Sequence, residues 1–273
     1  MESLSQLLPQ EECLAVSNEQ QSLKIGLPKE RTFQEKRICL TPDEVAVLVT
    51  NGHQILVEAG AGEEAHFPDA DYSEAGAEIV YDTEVVFACP MVLKVEPPTT
   101  EELAYFNPQT ILLSALQLNT QDIAYFEMLT QKQITALAFE YIKDEAENYP
   151  IQQSVDELTG IAAVLTASEL ITEENRLLFG NITGVPPIEI VLLGANNITE
   201  AAAKTALGLG ANVKIFASSL TDLGKLRTHL PSSAYTATLQ PQLLRESLKR
   251  CNVLIGAMTG THRSPIIVTE DMV

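Results

Sequence analysis

From Leu23 onward, short apolar runs alternate with amphipathic stretches that close on Gly, Pro, Asn or Asp. The runs read LKIGLP, QILVEAG, AEIVY, MVLKVEPP, TILLSALQ and ITALAFEYI, while TPDEVAVLVTNG carries helical spacing. Alternation of this kind is the pattern of an α/β fold built on a largely parallel sheet. The punctuation agrees: Thr41-Pro42-Asp43-Glu44 offers an N-cap, a proline in the first turn and an acid three residues after the cap, and Gly52 closes the helix.

After the break at Pro150, the spacing predicts a long helix over 155–178, with Leu158, Ile161, Ala162 and Leu165 on its apolar face and Ser154 with Glu157 as a capping box. A second series follows: IEIVLLG, a helix over 199–209, NVKIFA, AYTATL, a helix over 241–250, and NVLIGAM. The expected fold class is therefore α/β, with two Rossmann-like parallel-sheet lobes joined by a long helix. The expected divisions are a polar arm (1–22), a substrate-type lobe (23–154), a connecting helix and linker (155–185) and a nucleotide-type lobe (186–273). A doubly wound dinucleotide domain has about six strands. The second series supplies four candidates, so either the chain is a fragment or its second lobe is incomplete.

A formal net charge of −20 argues against nucleic acid or an anionic membrane surface as a partner. No run approaches the roughly 18–20 apolar residues that span a bilayer, and the first residues lack the basic start and apolar core of a secretory leader, which makes the cytoplasm the expected location. Cys13, Cys39, Cys89 and Cys251 are scattered, and His53, His66, His229 and His262 stand alone. Neither set has disulfide or metal-ligand spacing, so no metal is expected. Cys39 stands near Arg37, which would lower its pKa, but a buried structural thiol is the simpler reading.

Two places carry chemistry. EIVLLGANNITEAAAK has the strand–turn–helix form of a dinucleotide-binding turn, in which three glycines make the turn, admit the pyrophosphate and let helix and strand pack closely. Gly194 keeps the first role, Asn196 stands at the second position and Thr199 at the third. Ala217 and Ser218 stand where an acid would bind the ribose. Either helix N–H groups still favour an anion there, or the fold has kept its core and lost its ligand. The other place joins Arg37, after a polar loop, to Lys94, at the carboxyl end of an apolar strand, where open α/β sheets bind ligands. A planar fork and a point charge could clamp a small carboxylate; singly, each residue also reads as a snorkelling surface cation.

IGLPKE, RICLTPDEVAVLVTNGH, VEAGAGEEAHFPDADYSEAGAEIV and VLKVEPP resemble the amino-terminal domain shared by L-alanine dehydrogenases and the NAD-binding subunit of proton-translocating transhydrogenases. The likeness continues more loosely through ALAFEYI, SVDELTG, GVPP and NVLIGA to VTEDMV. It implies that Arg37 and Lys94 bind pyruvate or L-alanine, that Glu140 lies near the substrate cleft, and that Gly194, Asn196, Thr199 and Ser218 belong to the NAD loop and its surroundings. It also implies a homo-oligomer. Gln117 stands where alanine dehydrogenases have a catalytic His, and a glutamine cannot shuttle a proton near neutral pH. The resemblance thus implies NAD-dependent interconversion of L-alanine with pyruvate and ammonia, impaired in this chain. A non-catalytic remnant or partner subunit, and a transhydrogenase-type NAD subunit, are the alternatives.

Overall fold

The computed structural model describes residues 22–33, 35–258, 266–269 and 272. All ten apolar runs form strands: β1 (Lys24–Leu27), β2 (Gln54–Glu58), β3 (Glu78–Val80), β4 (Met91–Leu93), β5 (Ile111–Ser114), β6 (Thr135–Ala138), β7 (Glu189–Leu193), β8 (Asn212–Ala217), β9 (Tyr235–Thr238) and β10 (Val253–Gly256). The helices among the described residues are α1 (Pro42–Thr50), α2 (Asp69–Glu74), α3 (Thr83–Phe87), α4 (Thr100–Tyr105), α5 (Ile123–Gln131), α6 (Pro150–Asn175), α7 (Asn197–Gly208), α8 (Leu220–His229) and α9 (Pro241–Leu248). Two sheets result, a six-stranded one ordered β3-β2-β1-β4-β5-β6 and a four-stranded one ordered β10-β7-β8-β9. The pairings of β1 with β2 and β4, and of β7 with β8 and β10, are parallel. The chain divides into two compact units, one comprising residues through Ser114 with Glu127–Leu137, the other Ala115–Phe126 with the residues from Ala138 onward.

Central strands of a parallel sheet are covered on both faces, so they read as unbroken apolar runs. In β2, Ile55, Leu56 and Val57 are all buried; Ile55 and Val57 join Ile25 and Leu27 of β1 beneath Val45 of α1 and Tyr72 of α2. In β7, Ile190 and Leu192 face one core with Ala202, Ala206 and Ile215, while Val191 and Leu193 face the opposite one with Phe216, Leu244 and Leu248. The first turn of α1 is held as the sequence predicts: the Thr41 N–H donates to Glu44 at 2.6 Å, Pro42 is the first helical residue, and Gly52 follows the helix at φ +89°.

The long helix departs from expectation at both its start and its buried face. It begins at Pro150, and the Ser154 hydroxyl donates to the Pro150 carbonyl at 3.0 Å one turn back, so Ser154 is an interior residue and not an N-cap. Leu158, Ile161 and Leu165 are exposed, Leu158 by 67%. The buried positions are Gly160, Val164 and Ile171, and the reason is a close approach. A Cβ on Gly160 would lie 2.4 Å from the Ile198 carbonyl oxygen and 2.8 Å from the Ala201 Cβ of α7. Apolar residues surround α6 on more than one side, and the face that packs is chosen by a residue with no side chain.

Glycine costs a helix interior roughly 1 kcal/mol relative to alanine, so propensity alone favours Gly160→Ala. Because the added methyl meets backbone, which cannot rotate away, the substitution is expected to destabilise the protein by about 1–3 kcal/mol. Urea unfolding followed by circular dichroism measures the change; a neutral or stabilising result would contradict this packing.

Candidate functional site

The order of the first sheet places its switch point between β1 and β4: the chain builds outward from β1 to β3, then returns to the other side of β1. Ligands of open α/β sheets bind outside the carboxyl ends of the strands at such a point. Lys94 directly follows β4 and Glu30 lies three residues beyond β1. Lys94 is 1% exposed, which removes the snorkelling reading. Its Nζ donates to Glu30 Oε2 at 2.6 Å and stands 3.9 Å from Glu102 Oε2. Glu30 Oε1 accepts from the Val95 N–H at 2.6 Å. Glu102 also closes the N-terminus of α4, accepting from the Thr99 N–H at 2.8 Å.

Arg37 is half-exposed and its fork is occupied: Nε donates to Glu35 Oε1 at 2.8 Å and a terminal nitrogen to Oε2 at 2.6 Å. A terminal nitrogen lies 3.6 Å from Glu96, two residues past Lys94, so the two cations share one cluster. Burial pushes Glu35 up, but its hydrogen bonds and charge pairing with Arg37 outweigh burial and hold the carboxyl below its usual range. Burial also pushes Glu30 up, and there it prevails over the attraction of Lys94 and the amides. The Cys39 thiol is pushed up to about 12, first by burial and then by the charge of Glu30, so Arg37 does not activate it.

Glutamates 30, 35 and 102 were not evident in the sequence, since a lone Glu is almost always exposed on the surface. One signal was available: Glu30 follows β1 much as Lys94 follows β4, at the adjacent strand end. A further carboxylate, Glu58, is 5% exposed and accepts from the Lys29 N–H at 2.8 Å, Arg31 at 2.5 Å and Thr83 at 2.7 Å, pinning the loop that carries Glu30.

Gln117 and Glu140 come together in the second unit. Glu140 accepts from the Gln117 N–H at 2.9 Å and the Leu116 N–H at 3.3 Å. Gln117 has φ +49°, a left-handed conformation that non-glycine residues adopt rarely, and the Glu140 carboxylate holds its amide there. Glu140 therefore acts on the backbone that presents Gln117.

In the second sheet the switch point lies between β7 and β10. Gly194, at φ +124°, makes the turn after β7, and a Cβ there would lie 2.6 Å from the Ala257 oxygen, so only glycine fits. Asn196 does not use the left-handed region; at φ −131°, ψ −176° it is extended and caps α7. Its Oδ1 accepts from the Thr199 N–H at 3.0 Å and the Thr199 hydroxyl at 3.1 Å, while its Nδ2 donates to the Ala257 oxygen, just past β10, at 2.7 Å. Thr199 is fully buried, and Ser218 is exposed immediately after β8. Helix-terminal N–H groups hold a pyrophosphate when nothing else takes them. Here one is taken by Asn196, whose amide also ties the two strand ends together, and Ala217 offers no ribose acceptor. The residues present do not fit a dinucleotide in this geometry.

Among the described residues there is no group of three or more metal-ligating side chains and no helix long and apolar enough to cross a membrane. His53 Nδ1 accepts from the Leu23 N–H, His229 pairs with Glu200, and His262 lies outside the described residues.

The family model described as alanine dehydrogenase/PNT, N-terminal domain, matches residues 26–164, and the corresponding C-terminal domain matches residues 162–273. The chain belongs to the alanine dehydrogenase/PNT family. It is 32% identical over 255 residues to the alanine dehydrogenase of Staphylococcus haemolyticus, covering 92% of this chain and 68% of that one. Alanine dehydrogenase 2 of Staphylococcus aureus shows the same identity and coverage. A solved L-alanine dehydrogenase superposes with a TM-score of 0.80 at 30% identity, covering 92% of this chain and 70% of that one. The alanine dehydrogenase/PNT membership bears out the resemblance read from VLKVEPP and its companions.

Removing one partner of a buried charge pair typically costs about 3–5 kcal/mol, since the other charge is left uncompensated. Lys94→Met, which strands Glu30 and Glu102, is expected to fall in that range. Lys94→Met combined with Glu30→Gln should cost clearly less than Lys94→Met alone, as read by a denaturant double-mutant cycle. Additive losses would show that the pair is not coupled.

Asn196→Gly removes the side chain from the α7 terminus at a stability cost of only a few tenths of a kcal/mol from the cap. It is expected to raise NAD affinity in calorimetry, with a further gain on adding Ala217→Asp. Unchanged affinity in both variants would place the obstacle elsewhere.

Proposed function

We propose that this alanine dehydrogenase/PNT protein binds a small 2-oxo acid or amino acid, such as pyruvate or L-alanine, in its first unit, and that NAD-dependent interconversion of the two is impaired. The observation that carries this reading is the fully buried Lys94 ammonium at the β1/β4 switch point, joined through the neighbouring backbone and Glu96 to Arg37. A buried cation is costly to maintain, and its position at a strand-end crevice suits recognition of a carboxylate. The relatives named alanine dehydrogenase support the substrate class. Two features support the impairment. Asn196 occupies the turn, and Gln117 stands at the chain position where the resemblance implies a proton-transferring His, which a glutamine cannot replace.

A second reading, an acid-binding subunit without turnover of its own, is favoured by the same Asn196 bridge. It differs from the first only in whether any catalysis remains.

Charge-assisted hydrogen bonds contribute about 1.5–3 kcal/mol each, and part of that offsets ligand immobilisation, so pyruvate should bind without NAD no tighter than roughly millimolar. Ligand-observed NMR on wild type and Arg37→Ala tests this. Binding is expected in wild type and weakened at least several-fold in Arg37→Ala; residual L-alanine oxidation in wild type would favour the impaired enzyme, and a background rate the subunit without turnover. No binding in wild type, or equal binding in the variant, would refute the acid-site assignment.

A further inference from the structure

We propose that Glu30 is an internal ligand of the acid site, its carboxylate standing on Lys94 where a small acid's carboxylate would stand, so that acids enter by exchange with Glu30. This rests on the reading of Lys94 as an acid-binding cation and adds what controls access to it.

The donor set around Glu30 is the one a free carboxylate would select. Oε2 takes the Lys94 ammonium at 2.6 Å and Oε1 takes the Val95 N–H at 2.6 Å. An ammonium with an adjacent main-chain amide is a strong, directional carboxylate receptor. With Glu30 in place, Lys94 is 1% exposed, so the receptor is filled by the protein itself.

Charge forbids simple addition. Lys94 already faces Glu30 and, at 3.9 Å, Glu102, whose Oε1 is buried with no hydrogen-bond partner. A third carboxylate at one ammonium would be repelled by two others in a poorly solvated space. Replacing Glu30 leaves the count unchanged.

The chain around Glu30 permits that replacement. Glu58 fixes the loop on both sides of it, through the Lys29 N–H and the Arg31 guanidinium. The Glu30 side chain can therefore leave Lys94 by changing its own torsions while the backbone stays anchored. A tethered competitor acts at an effective concentration in the millimolar range or above, so it would weaken binding of free acids to the wild-type site.

The test titrates pyruvate against the whole chain as wild type, Glu30→Gln, Glu30→Asp and Glu30→Gln/Lys94→Met, with near-ultraviolet circular dichroism to confirm folding. In parallel, the rate of Lys94 acetylation by acetic anhydride is read by peptide mass spectrometry. Glu30→Gln is expected to tighten pyruvate binding about tenfold, a change of about 1.4 kcal/mol. Glu30→Asp, too short to keep the contact, should shift the same way, the gain should vanish with Lys94→Met, and Lys94 acetylation should quicken in Glu30→Asp. Equal or weaker pyruvate binding in Glu30→Gln than in wild type would overturn the exchange while leaving the acid site standing. If no variant binds pyruvate, the acid-site reading fails, and the internal-ligand proposal, which depends on it, falls too; acetylation then shows only whether Glu30 covers Lys94. Unchanged acetylation in folded Glu30→Asp would also overturn the proposal, whatever the titration shows.

Discussion

A positive charge withdrawn from water must be answered by negative charge close at hand, and the first unit is arranged around that demand at Lys94. The answer comes from two parts of the chain: Glu30 on the loop after β1 and Glu102 in the first turn of α4. The demand reaches outward from there. Glu30 needs a fixed loop, which Glu58 supplies, and Glu102 keeps its orientation by doing double duty as the acid of a capping box. Burial raises the cost of every unmatched charge, so the loss of any one member is costly to those that remain.

Strands and their sequence were legible because two-sided burial writes itself as apolar runs, visible in Ile55-Leu56-Val57 and in Ile190–Leu193. The start of α1 was legible because capping is local chemistry between residues three apart. The packed face of α6 was not, since the deciding contact is made by Gly160, which leaves no hydrophobic signal, against backbone that only the folded chain brings near. In the candidate site, Arg37 and Lys94 could be picked out by strand-end position and resemblance. Their partners could not, because pairing of Lys94 with a glutamate 64 residues away is a property of topology. Asn196 was visible as a departure at the turn, but its bridge to Ala257 depends on β10 lying beside β7.

The two sheets show the same arrangement with different chemistry. Each has a switch point, and at each a side chain from one strand end is bound to a group at the neighbouring one. In the first unit the tie is ionic and lies between two side chains. In the second it is a neutral amide contact to a main-chain oxygen, reinforced by Thr199 underneath. A carboxylate ligand can imitate Glu30 in the first tie. A pyrophosphate cannot imitate Asn196 in the second, since it has no donor for the Ala257 oxygen.

The anchoring of the Glu30 loop by Glu58 also fixes a clock. Backbone loop rearrangements run from nanoseconds to microseconds and longer, and exposed side-chain torsions change in picoseconds to nanoseconds, but the Glu30 side chain is only 7% exposed and must first break its contacts. With Lys29 and Arg31 both tied to one buried carboxylate, the exchange proposed for Glu30 would ask for the torsional step and the rupture of its bonds to Lys94 and the Val95 N–H, with no reshaping of the main chain. The pace of that exchange would then be set by breaking the contacts of Glu30 to Lys94 and the Val95 N–H, not by moving the loop.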